Sequence, residues 1–471
     1  MKKIWVYIIA CIMLPLSGCS LAPKYTRPAA PVPAEFPSGD AYLDGDAKQG
    51  PIPAEDIRWQ DAFPDKKLRQ VIELSLLNNR DLKLAVLNVE RARAYYGVQA
   101  ARLYPAVTAS AGGTDTHVPA ELSSTGDKMT YDMYNVDLGI VSWEVDLFGR
   151  IRSLKKQALE EYLGTEEAQR GAQTALISEA ARAYITLAAD LERLKLARAT
   201  FETQQNVYGL ISKQHEMGIV AAPDLLRSQT QVDTARGDIA RFTKWVAQDR
   251  NALDFVVGLP VPEDLLPSGL GDISPIGDIS PGLSSGVLLR RPDIMAAEHR
   301  LKASYAFIGA ARAAFFPQIS LTTAVGSASG DLSNLFSSGS KTWTFASQAA
   351  MPIFDTRIRA AYNVSKAERD ITLVQYEKTI QTAFREVADV LAVMGTIDQQ
   401  VEAQRSVVDS AQKIYSLTRE RYIQGIDSYL SVLDAQRTLY GAQQELTSLQ
   451  LVKMANQVKL YAVLGGDGAA N

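Results

Sequence analysis

Reactive side chains are scarce in this sequence. Three scattered histidines (His117, His215, His299) and two cysteines (Cys11, Cys19) in 471 residues cannot assemble a zinc site, an iron–sulfur site or a disulfide framework. No basic block occurs either: 49 Lys and Arg face 53 Asp and Glu, a net charge of -4. The electrostatic footprint of phosphate-backbone binding is therefore missing, and no nucleic-acid partner is expected. Past the N-terminal signal there is no run of 18 or more apolar residues, so no transmembrane helix is available and any span must be β. Enzymatic constellations fail in the same way. Gly112-Gly113 and Gly465-Gly466 lack the strand-to-helix setting and the lysine of a phosphate loop, and His299 has no second histidine at metal spacing. No nucleophile, base and orienting group can be named, so an enzyme is not expected. What remains, 46% apolar and 22% charged residues, is the balance of a folded protein.

The first residues read as a processing signal: Lys2 and Lys3, an apolar run from Ile4 to Leu16, then Ser17-Gly18-Cys19. Leu16-Ser17-Gly18-Cys19 resembles the bacterial lipobox, which makes 1–18 a lipoprotein signal peptide and Cys19 the lipidated first residue of the mature chain. Removing 1–18 takes Lys2, Lys3 and Cys11 with it, leaving 47 basic against 53 acidic residues and one cysteine, so no disulfide can form. Ser20, rather than Asp, resembles outer-membrane sorting. Over 19–55 prolines recur (Pro23, Pro28, Pro31, Pro33, Pro37, Pro51, Pro53) among small residues, as expected of an extended tether.

The body repeats itself at an offset of 207 residues, which divides it into 56–264 and 265–471. Arg150-Ile151-Arg152 falls on Arg357-Ile358-Arg359, Glu179 on Glu386, Tyr208 on Tyr415, Gly218-Ile219 on Gly425-Ile426, Leu226 on Leu433, Gln229 on Gln436 and Gly258 on Gly465. Tyr104-Pro105 matches Phe316-Pro317 at offset 212, which places a length difference among strands and loops.

Proline is absent from 120 to 222 and after Pro352, which permits long helices. Tyr376, Ile380, Ala383, Val387, Val390, Met394, Ile397 and Val401 alternate spacings of four and three, and Val408, Ala411 and Tyr415 keep the phase, with Gln404 the one interruption. Such a seam is sustained only if helices supercoil, so 150–215 and 357–422 are predicted coiled-coil helices, each roughly 100 Å long at 1.5 Å per residue. Each ends at a hairpin tip, Gly218 or Gly425, and a shorter helix returns from it, Pro223 to about Val257 and Asp427 to about Leu464. Helices at about 65–103 and 290–315 would stack on these end to end.

Two β-hairpins, at about 104–148 and 316–354, complete the repeats. Ile319, Leu321, Thr323 and Val325 alternate with small or polar residues, and Trp343, Phe345, Ala349, Met351 and Ile353 share one parity. Tyr134, Val136, Leu138 and Ile140 share a face until the phase switches to Val141, Trp143, Val145 and Leu147, which implies a bulge near 140. These segments are long enough for tilted membrane strands, with Tyr104, Trp143, Phe316 and Trp343 as interfacial aromatics. Four strands cannot close a barrel and open edges are not tolerated in lipid, so the barrel must be shared between chains. Two copies fill an eight-stranded barrel with side chains, whereas three give twelve strands and a passage.

With the lipobox, the segments Gly282-Leu283-Ser284-Ser285, Arg290-Arg291-Pro292-Asp293-Ile294 and Ile308-Gly309-Ala310-Ala311-Arg312-Ala313-Ala314-Phe315-Phe316-Pro317 carry a family resemblance. Asp146-Leu147-Phe148-Gly149-Arg150, Ser428-Tyr429-Leu430-Ser431-Val432-Leu433-Asp434-Ala435-Gln436-Arg437 and Leu464-Gly465-Gly466 extend it over nearly the whole chain. The chain resembles the outer-membrane factors of tripartite efflux systems, in the TolC superfamily and on its lipidated OprM-like branch. The resemblance implies an α+β membrane protein: a homotrimer with a twelve-stranded outer-membrane barrel, four strands per chain, continuous with a periplasmic α-helical coiled-coil barrel and an equatorial belt containing 258–290 and the C-terminal tail. It implies a passive exit duct for drugs or other small compounds in a Gram-negative outer membrane. The implied partners are a periplasmic adaptor, an inner-membrane pump of the resistance-nodulation-division class and outer-membrane lipid, with no cofactor beyond the lipid on Cys19. A type I protein-secretion outlet and a lipid-anchored coiled-coil scaffold without a pore stay as alternatives.

In the family the tunnel closes at its periplasmic tip, and the motif carries this role to Leu430 and Asp434, with Tyr422 in the gate network. Spacing i to i+4 puts Leu430 and Asp434 on one helix face. Around a three-fold axis they would become an apolar ring and a ring of carboxylates that attracts cations. The plainer reading pairs Asp434 with Arg437 at i+3 on a solvated face. Asp427 stands where TolC has a basic residue, so that TolC gate bond does not carry over, and Ser431 stands where TolC has a second acidic residue, so one carboxylate ring is expected.

Overall fold

A computed structural model describes residues 20–42, 52–53, 58–274, 276–277, 279–280 and 284–466. Cys19 lies outside them. In chain order the main elements are α1 (Lys66–Asn78), α2 (Arg80–Ala101), β1 (Val107–Val118), β2 (Met129–Val145), α3 (Arg150–Glu216), α4 (Ala222–Val257), α5 (Pro292–Ala313), β3 (Gln318–Ser329), β4 (Lys341–Ala350), α6 (Thr356–Ile423) and α7 (Tyr429–Val463). The chain divides into two compact units. One comprises 1–28, 88–165 and 296–376; the other comprises 29–87, 166–295 and 377–471.

The first unit holds the sheet. Its order is β1-β2-β3-β4, antiparallel throughout, so the two hairpins join edge to edge through β2 and β3. The phase switch near 140 is a bulge: Val141 and Ser142 together oppose Thr322, between the pairs Ile140–Thr323 and Trp143–Leu321. Ser142 takes φ 51° there, and its amide donates to Thr322 Oγ1 at 3.2 Å. An extra residue shifts every later side chain to the opposite parity, which is how Trp143 and Val145 stay on the face of Leu138.

In the second unit most of the helical seam is buried, with Met394, Val408 and Tyr415 half-buried. Ile380, Ala383, Val387, Val390, Ile397 and Val401 are all inaccessible. Gln404, the polar interruption, is matched by a donor bond from its Nε2 to the carbonyl of Ala442 at 2.9 Å. On α3, Ile177, Ala181, Tyr184, Ile185 and Ala188 are buried too. One cluster there is charged. Asp190 is buried and accepts from Arg193 Nη1 at 2.6 Å, and it shares a hydrogen bond with Asp249 on α4. Burial, and then the adjacent Asp190 carboxylate, push Asp249 up to about 7.

The helix expected over 65–103 is broken at Asn79, where no glycine or proline signals a break. Asn79 adopts ψ 133°; its Oδ1 caps α2 through Leu82 N at 2.9 Å and its Nδ2 donates to the carbonyl of Val256 at 2.8 Å. The junction is thus the point where the end of α4 abuts. Gly258, at φ 84°, has room only because it lacks a Cβ, which would lie 2.7 Å from Asn78 O. The second copy repeats the arrangement: Gly465 sits against Arg291 and Pro292, and Arg291 Nη1 donates to the carbonyl of Val463 at 2.7 Å. Residues 263–265, 270–272 and 285–290 form short 3-10 turns, and Ile279–Ser280 pairs in parallel with Ile52–Pro53.

The proline-rich N-terminal segment is extended but packed. Within the first unit, Tyr25 and Arg27 bind Glu298 at 3.0 and 2.6 Å. Within the second, Phe36 stacks on Phe384 with centroids 5.4 Å apart, and Ser285 N and Oγ donate to the carbonyls of Ala34 and Pro33 at 2.8 and 2.6 Å. A composition suited to a free spacer is held down because its aromatic and charged side chains find specific partners.

Candidate functional site

Two features of the structure can do work: the hairpin tips and the sheet. At the first tip, Gly218 takes φ 74°, with Gly218 N bonded to His215 O and Ile219 N to Gln214 O, both at 2.9 Å. At the second, Gly425 takes φ 78°, with Gly425 N bonded to Tyr422 O and Ile426 N to Arg421 O, again both at 2.9 Å. The left-handed conformation that closes the helix favours glycine on backbone grounds, since nothing crowds either site.

Side chains distinguish the tips. Ile211 of the first hairpin and Tyr429, Val432 and Leu433 of the second form one buried cluster, with Val220 and Leu225 packed against it from the first tip and Tyr415 and Tyr422 from the second. Tyr422 lies 5.7 Å from Tyr429, centroid to centroid, and its hydroxyl reaches Gln214 Oε1 at 3.4 Å. Burial raises the pKa of both phenols above the ordinary tyrosine value, so both stay neutral. Leu430 is 52% exposed, whereas Leu433 is only 7% exposed. The repeat pairing of Leu433 with Leu226 does not carry a shared packing role, because Leu226 is 66% exposed. Asp434 is exposed and accepts from Arg437 Nη2 at 2.7 Å, the i+3 pairing that the spacing allowed.

One further contact at this tip was not predicted. Arg421 grips Asp427 in a fork across the Gly425 turn, Nε to Oδ2 at 2.7 Å and Nη2 to Oδ1 at 3.1 Å. The guanidinium holds the Asp427 carboxyl below its usual range. Oppositely charged residues flanking a helix-terminating glycine were the available signal.

The sheet has two chemically distinct faces. Directly opposed residues share a face, so Leu138, Val325 and Trp343 lie in one row and Val107, Ile140, Thr323 and Phe345 in the next. Beyond the bulge the same face continues with Trp143 and Leu321, then Val145, Ile319 and Ala349. The opposite face carries Ser110, Asp137, Gly326 and Thr342 in one row and Thr108, Gly139, Ala324 and Thr344 in another. A Cβ at Gly139 or Gly326 would overlap the neighbouring strand's backbone, so this face is narrow as well as polar. The apolar face is uncovered: Trp343 is 78% exposed, and Leu138, Val325 and Phe345 are exposed too. Tyr104 is exposed beside β1, while Phe316 stacks on Phe148 at 4.8 Å. Among the described residues no strand pairs with the outer edge of β1 or of β4, no helix is long and apolar enough to cross a membrane, and no group of acidic, His or Cys side chains could hold a metal ion.

The family model for outer membrane efflux proteins matches residues 71–259 and 283–466. The antibiotic efflux pump outer membrane protein ArpC of Pseudomonas putida is 45% identical over 452 residues, covering 96% of this chain and 93% of its own. The toluene efflux pump outer membrane protein TtgC of Pseudomonas putida is 44% identical over the same shares of the two chains. Among solved structures, the open state of the Neisseria gonorrhoeae MtrE outer membrane channel superposes with a TM-score of 0.86 at 34% identity, covering 95% of this chain and 98% of that one.

Proposed function

The chain belongs to the outer membrane efflux protein family and is the outer-membrane channel component of an efflux pump, and from that premise we propose that it works as a homotrimer gated at the Gly425 tip. It is a channel and not an enzyme, it resides in a Gram-negative outer membrane, and it extends into the periplasm. The sheet carries the reading of its assembly. An uncovered apolar face on one side, a narrow polar face on the other and two open edges make a barrel segment whose outer surface is solvated by lipid. Three copies supply twelve strands and leave a lumen lined by the Ser, Thr, Gly and Asp face. Cargo is small compounds, delivered by an inner-membrane pump of the resistance-nodulation-division class through a periplasmic adaptor.

We assign the lipid anchor to Cys19. The packing of the N-terminal segment supports this: Ala22, three residues on, fits against Gly309, where a Cβ would come within 2.8 Å of it, just before α5 gives way to β3. A chain held there delivers an acyl group at the level where the strands begin.

At the tip, Leu430 stands exposed beside a packed cluster and Asp434 lies one turn further along α7. Converging on a three-fold axis, they would form an apolar closure and a cation-attracting ring, with Arg437 limiting the net charge. Planar-bilayer recording tests the gate. Leu430→Ala should raise basal conductance and leave block by periplasmic multivalent cations intact, while Asp434→Ala should weaken that block. Neither change appearing would remove the gate from this tip, and native mass spectrometry with no trimer would remove the barrel.

A further inference from the structure

Beside the start of the N-terminal segment, Arg312 of α5 and Lys366 of α6 carry two positive charges that no carboxylate among the described residues pairs with. Arg312, in the last turn of α5, donates from Nη1 to the carbonyl of Leu21 at 3.1 Å and reaches the Tyr362 hydroxyl from Nη2 at 3.5 Å. Its guanidinium carbon lies 5.8 Å from the centre of the Tyr362 ring, and Lys366 Nζ lies 5.5 Å from the same centre. Neither cation has a carboxylate partner among the described residues. The nearby buried carboxylate is already committed, because Glu298 accepts from Tyr25, Arg27 and Lys302. Arg369, a turn beyond Lys366, divides its charge between Asp370 at 2.6 Å and the Tyr305 ring at 5.8 Å.

Position narrows the ligand. Arg312 lies just ahead of Gln318, where β3 begins, and Tyr362 lies near the start of α6, shortly after β4 ends at Ala350. The cluster is therefore at the foot of the strands. Leu21, which Arg312 holds, is two residues from Cys19; if Cys19 is acylated, as argued above, this face must be the periphery that meets the bilayer and not the lumen.

We propose that Arg312, Lys366 and Tyr362, with Arg369 alongside, bind the phosphate headgroup of an anionic phospholipid of the periplasmic leaflet. A guanidinium offers a fork of donors to phosphate oxygens, an ammonium adds a point charge, and a phenol donates a third bond. The surrounding cations, Arg312 foremost, favour the phenolate and so make the Tyr362 hydroxyl a stronger donor. Uncompensated charge at headgroup level would draw such lipids even when they are a minority species.

Native mass spectrometry of the full acylated protein, titrated with phosphatidylglycerol or phosphatidylcholine, tests this. Phosphatidylglycerol should be retained preferentially, and Arg312→Gln with Lys366→Gln should weaken its retention ~10-fold, the effect of losing charge-assisted bonds. Lys366→Gln alone, at an exposed position, should lower retention while leaving the fold intact. Inorganic phosphate at matched concentration should not compete. Equal retention of the two lipids, unchanged retention in the double variant, or displacement by phosphate would overturn the proposal, and so would loss of the trimer in place of lipid. The anchor is read separately: absence of acyl mass on the wild-type N-terminus would sink the Cys19 assignment, while the lipid preference is scored by the Arg312 and Lys366 variants on their own.

Discussion

The two copies of the repeat share a backbone and divide the chemistry. Helices α3 and α6 run 67 and 68 residues, α4 and α7 run 36 and 35, and both hairpins turn on a left-handed glycine with the same two backbone bonds. At matched positions the side chains diverge. Asp190 and Asp249 of the first copy correspond to Ile397 and Asn456 of the second, where Ile397 is buried and Asn456 donates to the carbonyl of Val390 at 3.1 Å. The exposed Leu226 of one tip corresponds to the buried Leu433 of the other. Duplication preserves what the backbone needs, and each copy then acquires its own polar or packing specialisation.

The sharpest way to break the equivalence is at the tips. Leu433→Ala should destabilise the chain by about 3 kcal/mol through the cavity left among Ile211, Tyr429 and Val432. Leu226→Ala should change stability by no more than about 0.5 kcal/mol, as at other exposed positions. Urea denaturation followed by far-ultraviolet dichroism compares the pair, and equal effects would contradict the difference in burial.

Gly218→Ala and Gly425→Ala sharpen the equivalence instead. Each forces a Cβ into left-handed backbone at about 1–2 kcal/mol, and the two costs should agree because the two turns agree. Unequal losses in the same denaturation experiment would show that side chains, and not the shared turn, set the tip's stability.

Asp249→Asn gives the first copy the amide found in the second. The Asp249 pKa is raised in the folded chain, so its contribution is intact near pH 4 and below and is lost as the pH rises through about 7. The substitution should therefore stabilise the protein above pH 7, by roughly 1–2 kcal/mol once screening by solvent is allowed for, and flatten the pH profile. Denaturation midpoints at pH 5 and pH 8 measure it.

The smallest effect belongs to the Arg421–Asp427 fork, which the first tip lacks. With the Asp427 carboxyl held below its usual value, the fork persists at neutral pH and opens only as pH falls through that lowered value. Arg421→Ala should speed amide exchange of Ile426 and Asp427 at pH 7 and should leave the exchange of Ile219 at the other tip unchanged.

Features that depend on spacing were legible in the sequence. The period-two runs, the phase switch at 140, the uninterrupted long helices and the glycine tips each reflect a local rule, and the structure places a strand, a bulge, a helix or a turn at each. The break at Asn79 was hidden because the group that fixes it, the Val256 carbonyl, lies far along the chain. The packed course of residues 20–42 was hidden for the same reason, since Glu298 and Phe384 are its partners.

Periodicity, proline distribution and internal repetition by themselves determined the α+β class, the hairpins and the open-edged sheet, because each follows from bonds within a few residues of one another. Tertiary structure alone decided which of two matched leucines is buried, which carboxylate Arg421 grips, and where uncompensated charge gathers beside the first residues of the N-terminal segment. Those outcomes depend on which distant side chains meet, and a pattern that repeats every few residues carries no record of that.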